Sequence, residues 1–333
     1  MDRVSTRTEP PAATLGIQPA LVGTACCISS AVAYTVANIC LRQLAGYQVD
    51  PAWVICVKEM VTVLVVGPYL LLAAGRGRLK LPPVKVIAVL AAVGVGVQVL
   101  GNFNVQRAFG IVGLAVSMPA VFGTMLVASA VIGFFWLGER VNGRSVRAIA
   151  LLVLAIALLG VGTATTGPPA GATGQASPGL VHSLFGVAAA CLGGVMFATL
   201  GAGVRYAHGQ AVPIALTVFV ITGMGVVCLG AVSLDRIGLE GMAATPPDRL
   251  AWMVASGVFN LIGFLLISKG LQLTALVHAN VINASQVAFG AVAGILLFRE
   301  ASNLWLVAGI GLTVVGIIHI GRPERPGEVM EAV

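Results

Sequence analysis

Residues 113–142, GLAVSMPAVFGTMLVASAVIGFFWLGERVN, are answered 161 residues later by residues 274–303, TALVHANVINASQVAFGAVAGILLFREASN. In each copy an apolar run ends at a glutamate, Glu139 or Glu300, and an asparagine follows three residues on, Asn142 or Asn303. A second apolar run then begins, with Ala148 and Ala155 in the first copy and Gly309 and Gly316 at the same offset in the second. Similarity at one fixed separation marks a duplicated unit.

The unit belongs in a membrane. The chain is 58% hydrophobic and only 9% charged, with a mean hydropathy of +0.99, whereas soluble domains carry roughly a quarter charged residues. A helix crossing the hydrocarbon needs about 20 mostly apolar residues. Charges and Pro/Gly clusters divide the chain into ten such runs, near 19–44, 52–74, 84–107, 111–137, 146–164, 179–205, 212–234, 250–270, 274–298 and 303–320. The expectation is an all-α membrane protein of ten transmembrane helices in two inverted-topology five-helix repeats.

Five helices is an odd number, so the second half must enter the membrane from the side opposite to the first, as in many secondary transporters. The domain plan is a disordered cytoplasmic tail over 1–18, a first repeat over 19–164, a linker over 165–178, a second repeat over 179–320 and a cytoplasmic tail over 321–333. The repeat is echoed where Leu41-Arg42, Gly46 and Pro51 correspond to Val204-Arg205, Gly209 and Pro213. Basic residues stay cytoplasmic. With the N-terminus inside, 13 of the 19 Lys and Arg fall on the cytoplasmic side, while Arg42, Arg107, Arg236, Arg249 and Arg299 lie opposite and Lys58 lies within a run. Both termini are therefore predicted cytoplasmic, and the high isoelectric point, about 9.4, reflects topology rather than nucleic-acid binding.

Polar residues in hydrocarbon face a cavity or another helix, so their spacing maps a candidate binding site. Tyr34, Asn38 and Arg42 recur every four residues in the first run, as do Gln98, Asn102 and Gln106 in the third. Asn280, Asn283 and Gln286 recur every three in the ninth, beside His278 and Ser285, and Asn260 stands alone in the eighth. The candidate substrate-binding set is Tyr34, Asn38, Gln98, Asn102, Gln106, Asn260, His278, Asn280, Asn283 and Gln286. The competing reading is interhelical hydrogen bonding, which uses the same residue types.

Lys58 and Glu59 lie about 12 Å along a helix beginning at Pro51, at 1.5 Å per residue. Helix neighbours point about 100° apart, so the two need not pair, and the competing reading is a charge-neutral structural group that also involves Arg42. Burial disfavours a charged carboxylate, which makes Glu59 the proton-coupling candidate. Lys58, Glu139, Glu300 and Pro119 are assigned structural or gating roles: the glutamates fix the turns into the fifth and tenth helices, and Pro119 frees a backbone carbonyl one turn earlier.

The duplicated five-helix pattern, the helix-end Leu137-Gly138-Glu139 with its echo Phe298-Arg299-Glu300, and the small-residue final helix of each half together resemble the EamA-like ten-helix family of the drug/metabolite transporter superfamily. The resemblance spans roughly residues 19–320 and implies inverted five-helix repeats that move small metabolites by alternating access. Where many members carry proline, about 13 residues before each glutamate, Leu126 and Val287 stand here. The first run also lacks the carboxylate that the four-helix relatives use for proton coupling.

The expected function is secondary transport, with export the expected direction, of a small polar or amphipathic metabolite such as an amino acid. The alternatives are a lipid or lipid-carrier flippase of the same fold, or an intramembrane lipid-modifying enzyme. The enzyme reading needs clustered Asp/His or Asp/Asp groups that the sequence lacks, so no enzymatic activity is expected. The six cysteines all fall in apolar runs without metal-ligand spacing, and no Walker loop occurs, so neither metal nor cofactor is expected. The expected partners are a small-molecule substrate and membrane lipids, without nucleic acid. Small residues on the tenth run permit a homodimer. Short loops and Arg-rich, Ala/Gly/Val-heavy usage point to a bacterial inner (plasma) membrane.

Overall fold

The computed structural model describes residues 17–79, 81–137, 143–165, 180–273, 282–283, 285–300 and 302–321. Among them every regular element is helical and no strand occurs. The helices are α1 (Ile17–Gly46), α2 (Pro51–Gly75), α3 (Val84–Ile111), α4 (Leu114–Leu137), α5 (Gly143–Thr165), α6 (Leu180–Gly209), α7 (Ile214–Ala243), α8 (Pro247–Leu273), α9 (Gln286–Phe298) and α10 (Leu304–Gly321). Seven of them, α1 to α4 and α6 to α8, are long and apolar enough to cross a membrane; α5, α9 and α10 supply the shorter apolar stretches Ile149–Leu159, Gln286–Phe298 and Leu304–Ile318.

Local sequence sets the boundaries. Asp50 accepts hydrogen bonds from the N–H groups of Ala52 and Trp53 (2.9 and 3.1 Å), and Pro51 begins α2; a capping carboxylate and a first-turn proline both suit a helix start. At the end of α1, Gln48 adopts φ 56° and the N–H groups of Gln48 and Val49 donate to the carbonyls of Ala45 and Leu44. At the end of α6, Ala211 also adopts φ 56°, and Ala211 and Val212 donate to His208 and Ala207. This is one paired C-terminal cap, repeated 163 residues apart where the sequence carries its weaker echo.

Two helices are irregular. α3 passes through a π-helical stretch at Gly96–Asn102, a feature frequent at functional sites. α7 is interrupted at Gly238, φ 67°. By contrast α4 runs on through Pro119, which is buried.

The helices pair as α1 on α8, α3 and α4 on α6, α2 on α7, and α5 on α10. Their ends sort into two groups. At one end, Asn303 before α10 donates to the Gly162 carbonyl and the Thr165 hydroxyl at the close of α5 (3.0 and 2.7 Å), and the indole of Trp53 donates to Thr245 between α7 and α8 (3.0 Å). Arg236 pairs with Asp50 at this end (3.0 Å). At the other, Leu70, Val86, Leu90, Ala207, Val212 and Leu216 bury the end of α2, the start of α3 and the α6–α7 turn together. The main core, around Leu44, Ile55, Phe109, Leu114, Leu159 and Leu229, joins elements from across the whole chain.

Candidate functional site

A buried polar cluster lies where α2, α3 and α7 meet. Lys58 and Glu59 are 4% and 2% exposed and form an ion pair, Nζ to Oε1, at 2.7 Å. The sequence left their pairing open; the Cα–Cβ directions diverge, but the long lysine chain folds back to its neighbour, as in the competing charge-neutral reading, because a lone charge in this setting would be costly. The Asn102 amide donates to the same Glu59 oxygen (3.4 Å) and to Gln98 Oε1 (2.7 Å), while Gln98 donates to the Ile221 carbonyl of α7 (3.4 Å).

Gly225 makes this approach possible. A Cβ there would stand 2.8 Å from Gln98 Cδ and 3.0 Å from Glu59 Cγ, so only glycine lets α7 close over both side chains. Because the π-helical stretch carries Gln98 and Asn102, the third-run stripe does not act as a single face. Gln106, 2% exposed, instead donates to the Leu41 carbonyl of α1 (2.9 Å). Its own Oε1, and the Thr62 hydroxyl one turn beyond Lys58, are buried without a hydrogen-bond partner.

The other stripes take separate places. Tyr34 is half-buried against Gly263 of α8, where a Cβ would come within 3.0 Å of the ring, and Ser30 donates to the Gly263 carbonyl (2.7 Å). Asn38 and Asn260 are half-buried on the two helices of this α1–α8 pair. Gln286 donates to Asn283 Oδ1 (2.7 Å). His278, Asn280 and Glu139 lie outside the described residues.

Glu300 occupies a second buried polar centre. Its Oε1 accepts from Arg42 Nε (2.7 Å) and from the Leu114 N–H (2.8 Å), and its Oε2 accepts from the Ala115 N–H (2.8 Å). The expected role, fixing the turn into its own following helix, is therefore too local. Glu300 caps the N-terminus of α4, 186 residues earlier, where first-turn N–H groups and the helix dipole favour an anion. Arg42 belongs here rather than with Lys58 and Glu59; its guanidinium also lies 5.0 Å from the centre of the Phe298 ring.

Gly113 and Gly294 shape the notch, since a Cβ on either would overlap the Glu300 carboxylate. Gly113 also adopts φ +78°, which L side chains rarely take. Sequence spacing did not single out these glycines for that role. Their signal was present only as two more glycines in a chain that has 42.

Residues 184–322 match the model of the EamA-like transporter family, which lies within the drug/metabolite transporter superfamily. One solved crystal structure is similar over 91% of this chain and 95% of its own, with a TM-score of 0.52 at 19% identity; at that identity the likeness concerns the fold. No curated protein matches the chain. With seven helices fit to cross a bilayer among the described residues and a family match over its second half, the chain is an integral membrane protein whose residues 184–322 are similar to the EamA-like transporter family.

Proposed function

We propose that this chain is a secondary transporter that moves a small polar or amphipathic metabolite, such as an amino acid, by alternating access between two inverted five-helix halves. One observation carries the reading: buried Lys58, Glu59 and Gln98, joined by half-buried Asn102, form a group of charge and amides against α7 inside a membrane protein. Buried ionisable groups in a bilayer are costly and mark transport paths. The helix pairs support the two-half plan, since α2–α7 and α5–α10 each join equivalents and α1–α8 mirrors α3–α6. So does the cap repeated at Gln48 and Ala211.

The free acceptors Gln106 Oε1 and Thr62 Oγ1 and the Asn283–Gln286 pair suit a neutral or zwitterionic solute held by hydrogen bonds. Glu59 is the coupling carboxylate, because it alone accepts from both a cation and an amide of the cluster. The distribution of basic residues supports cytoplasmic termini, residue usage and short loops support a bacterial inner membrane, and export is the direction that the family resemblance implies.

The test is flux of pooled labelled amino acids and other metabolites in proteoliposomes, with and without a pH gradient. Native protein moves a solute, Asn102→Ala and Asn283→Ala abolish the flux, and Glu59→Gln removes its response to the gradient. Movement of a fluorescent lipid across the bilayer with no solute flux would replace this reading with a flippase.

A further inference from the structure

The face of Arg42 turned away from Glu300 opens on a cleft of about 270 Å³ at the end of the bundle where α1 and α9 finish. Its lining includes Arg42, Gln43, Gly46, Tyr47, Phe298 and Arg299, and among the described residues no carboxylate lines it. Both Glu300 oxygens are already engaged, one by Arg42 Nε and the Leu114 N–H, the other by the Ala115 N–H. Two guanidinium groups are thus balanced by one carboxylate on the far side of Arg42, and the cleft is left with an excess of positive charge.

Three features make this a built place rather than a patch of surface. Arg42 is 3% exposed, held in one orientation by its Nε bond and by the Phe298 ring. Its Nη1 lies on the Gly46 side, 3.7 Å from where a Cβ on Gly46 would stand, and Gly46 lines the cleft. Arg249 reaches the rim, 5.5 Å from the centre of the Tyr47 ring. A guanidinium edge fixed in a partly buried site matches the planar geometry of an oxyanion and binds it better than a mobile lysine would.

We propose that this cleft is an oxyanion-binding site, in which Arg42 and Arg299 hold a phosphate or carboxylate group with the Gln43 amide and Tyr47 hydroxyl as further donors. Because it opens at a helix-end face of a membrane protein, the same chemistry is offered by a free solute and by the headgroup of an anionic lipid. The site is distinct from the Glu59 cluster and does not depend on which solute that cluster moves.

The experiment uses the purified full chain in lipid-depleted detergent. Inorganic phosphate is titrated calorimetrically at constant ionic strength against chloride, and native mass spectrometry follows retention of phosphatidylglycerol against phosphatidylcholine. Native protein gives a saturable phosphate isotherm, preferential retention of phosphatidylglycerol, or both; phosphate alone identifies a solute site and phosphatidylglycerol alone a lipid site. Arg299→Gln weakens whichever is seen at least fivefold. Gly46→Leu, which fills the cleft and changes no charge, abolishes it. Arg107→Gln, which removes an exposed arginine outside the cleft, leaves it unchanged. Binding of neither probe, survival of binding in Gly46→Leu, or equal losses in Arg299→Gln and Arg107→Gln would overturn the proposal.

Discussion

Glu300 and Leu114 are joined by a 2.8 Å hydrogen bond from the first N–H of α4 to a carboxylate that follows α9. The same carboxylate pairs with Arg42 at 2.7 Å, so one side chain ties α1, α4 and the α9–α10 turn together. Breaking a buried ion pair from one side costs about 3–5 kcal/mol, because the remaining charge stays buried. Glu300→Gln keeps the shape and is expected to lose about 3 kcal/mol in a detergent unfolding titration. The double variant Arg42→Gln/Glu300→Gln should lose less than the sum of the single losses by more than about 1 kcal/mol; simple additivity would show that the pair is not coupled.

Gly113→Ala tests the notch. The added Cβ meets the Glu300 carboxylate and must adopt φ +78°, a left-handed conformation costing a non-glycine residue on the order of 1–2 kcal/mol before the clash is counted. Loss of at least that much is expected. Gly201→Ala, where a Cβ would meet nothing within 4 Å, should be neutral or stabilising in its helix. Equal effects of the two substitutions would refute the notch.

Gly225→Ala separates folding from transport. Its Cβ would fall 2.8 Å from Gln98 Cδ and 3.0 Å from Glu59 Cγ, pressing on the two cluster side chains rather than on backbone. The chain should elute as a monodisperse peak while proteoliposome flux falls at least tenfold. Undiminished flux would mean that the α2–α3–α7 cluster lies off the transport path.

Asn303 caps α10 through the Leu306 N–H (2.8 Å) and ties it to α5 through Gly162 and Thr165. Asn303→Ala removes both and should cost about 1 kcal/mol for the cap alone, with more for the tie. Asn303→Asp keeps the cap acceptor and loses the amide donor. Its stability should fall between the native chain and Asn303→Ala, and a value equal to Asn303→Ala would assign the whole effect to the tie.

Much of this was readable from the chain. Asp50 before Pro51 and the apolar runs located helix boundaries to within a few residues for α1, α2 and α4, because local capping and hydrocarbon length act on contiguous sequence. The spacing of Gln98, Asn102 and Gln106 placed all three amides on one helical face. The four-residue spacing could not reveal the π-helical stretch at Gly96–Asn102, which sends Gln106 to the Leu41 carbonyl of α1 while Asn102 meets Glu59.

The sequence by itself determined that the chain lives in a bilayer and where several of its helices begin and end, and it marked Glu300 as a charged group closing an apolar run and Arg42 as part of a polar stripe. It could do so because hydropathy, capping and repeat spacing are properties of neighbours along the chain. Only the tertiary structure decided partners: Arg42 with Glu300 at a separation of 258 residues, Lys58 with Glu59, and Gly225 beneath Gln98. A buried charge will accept any complementary group that packing brings within reach, and which group arrives is set by how helices distant in sequence stack.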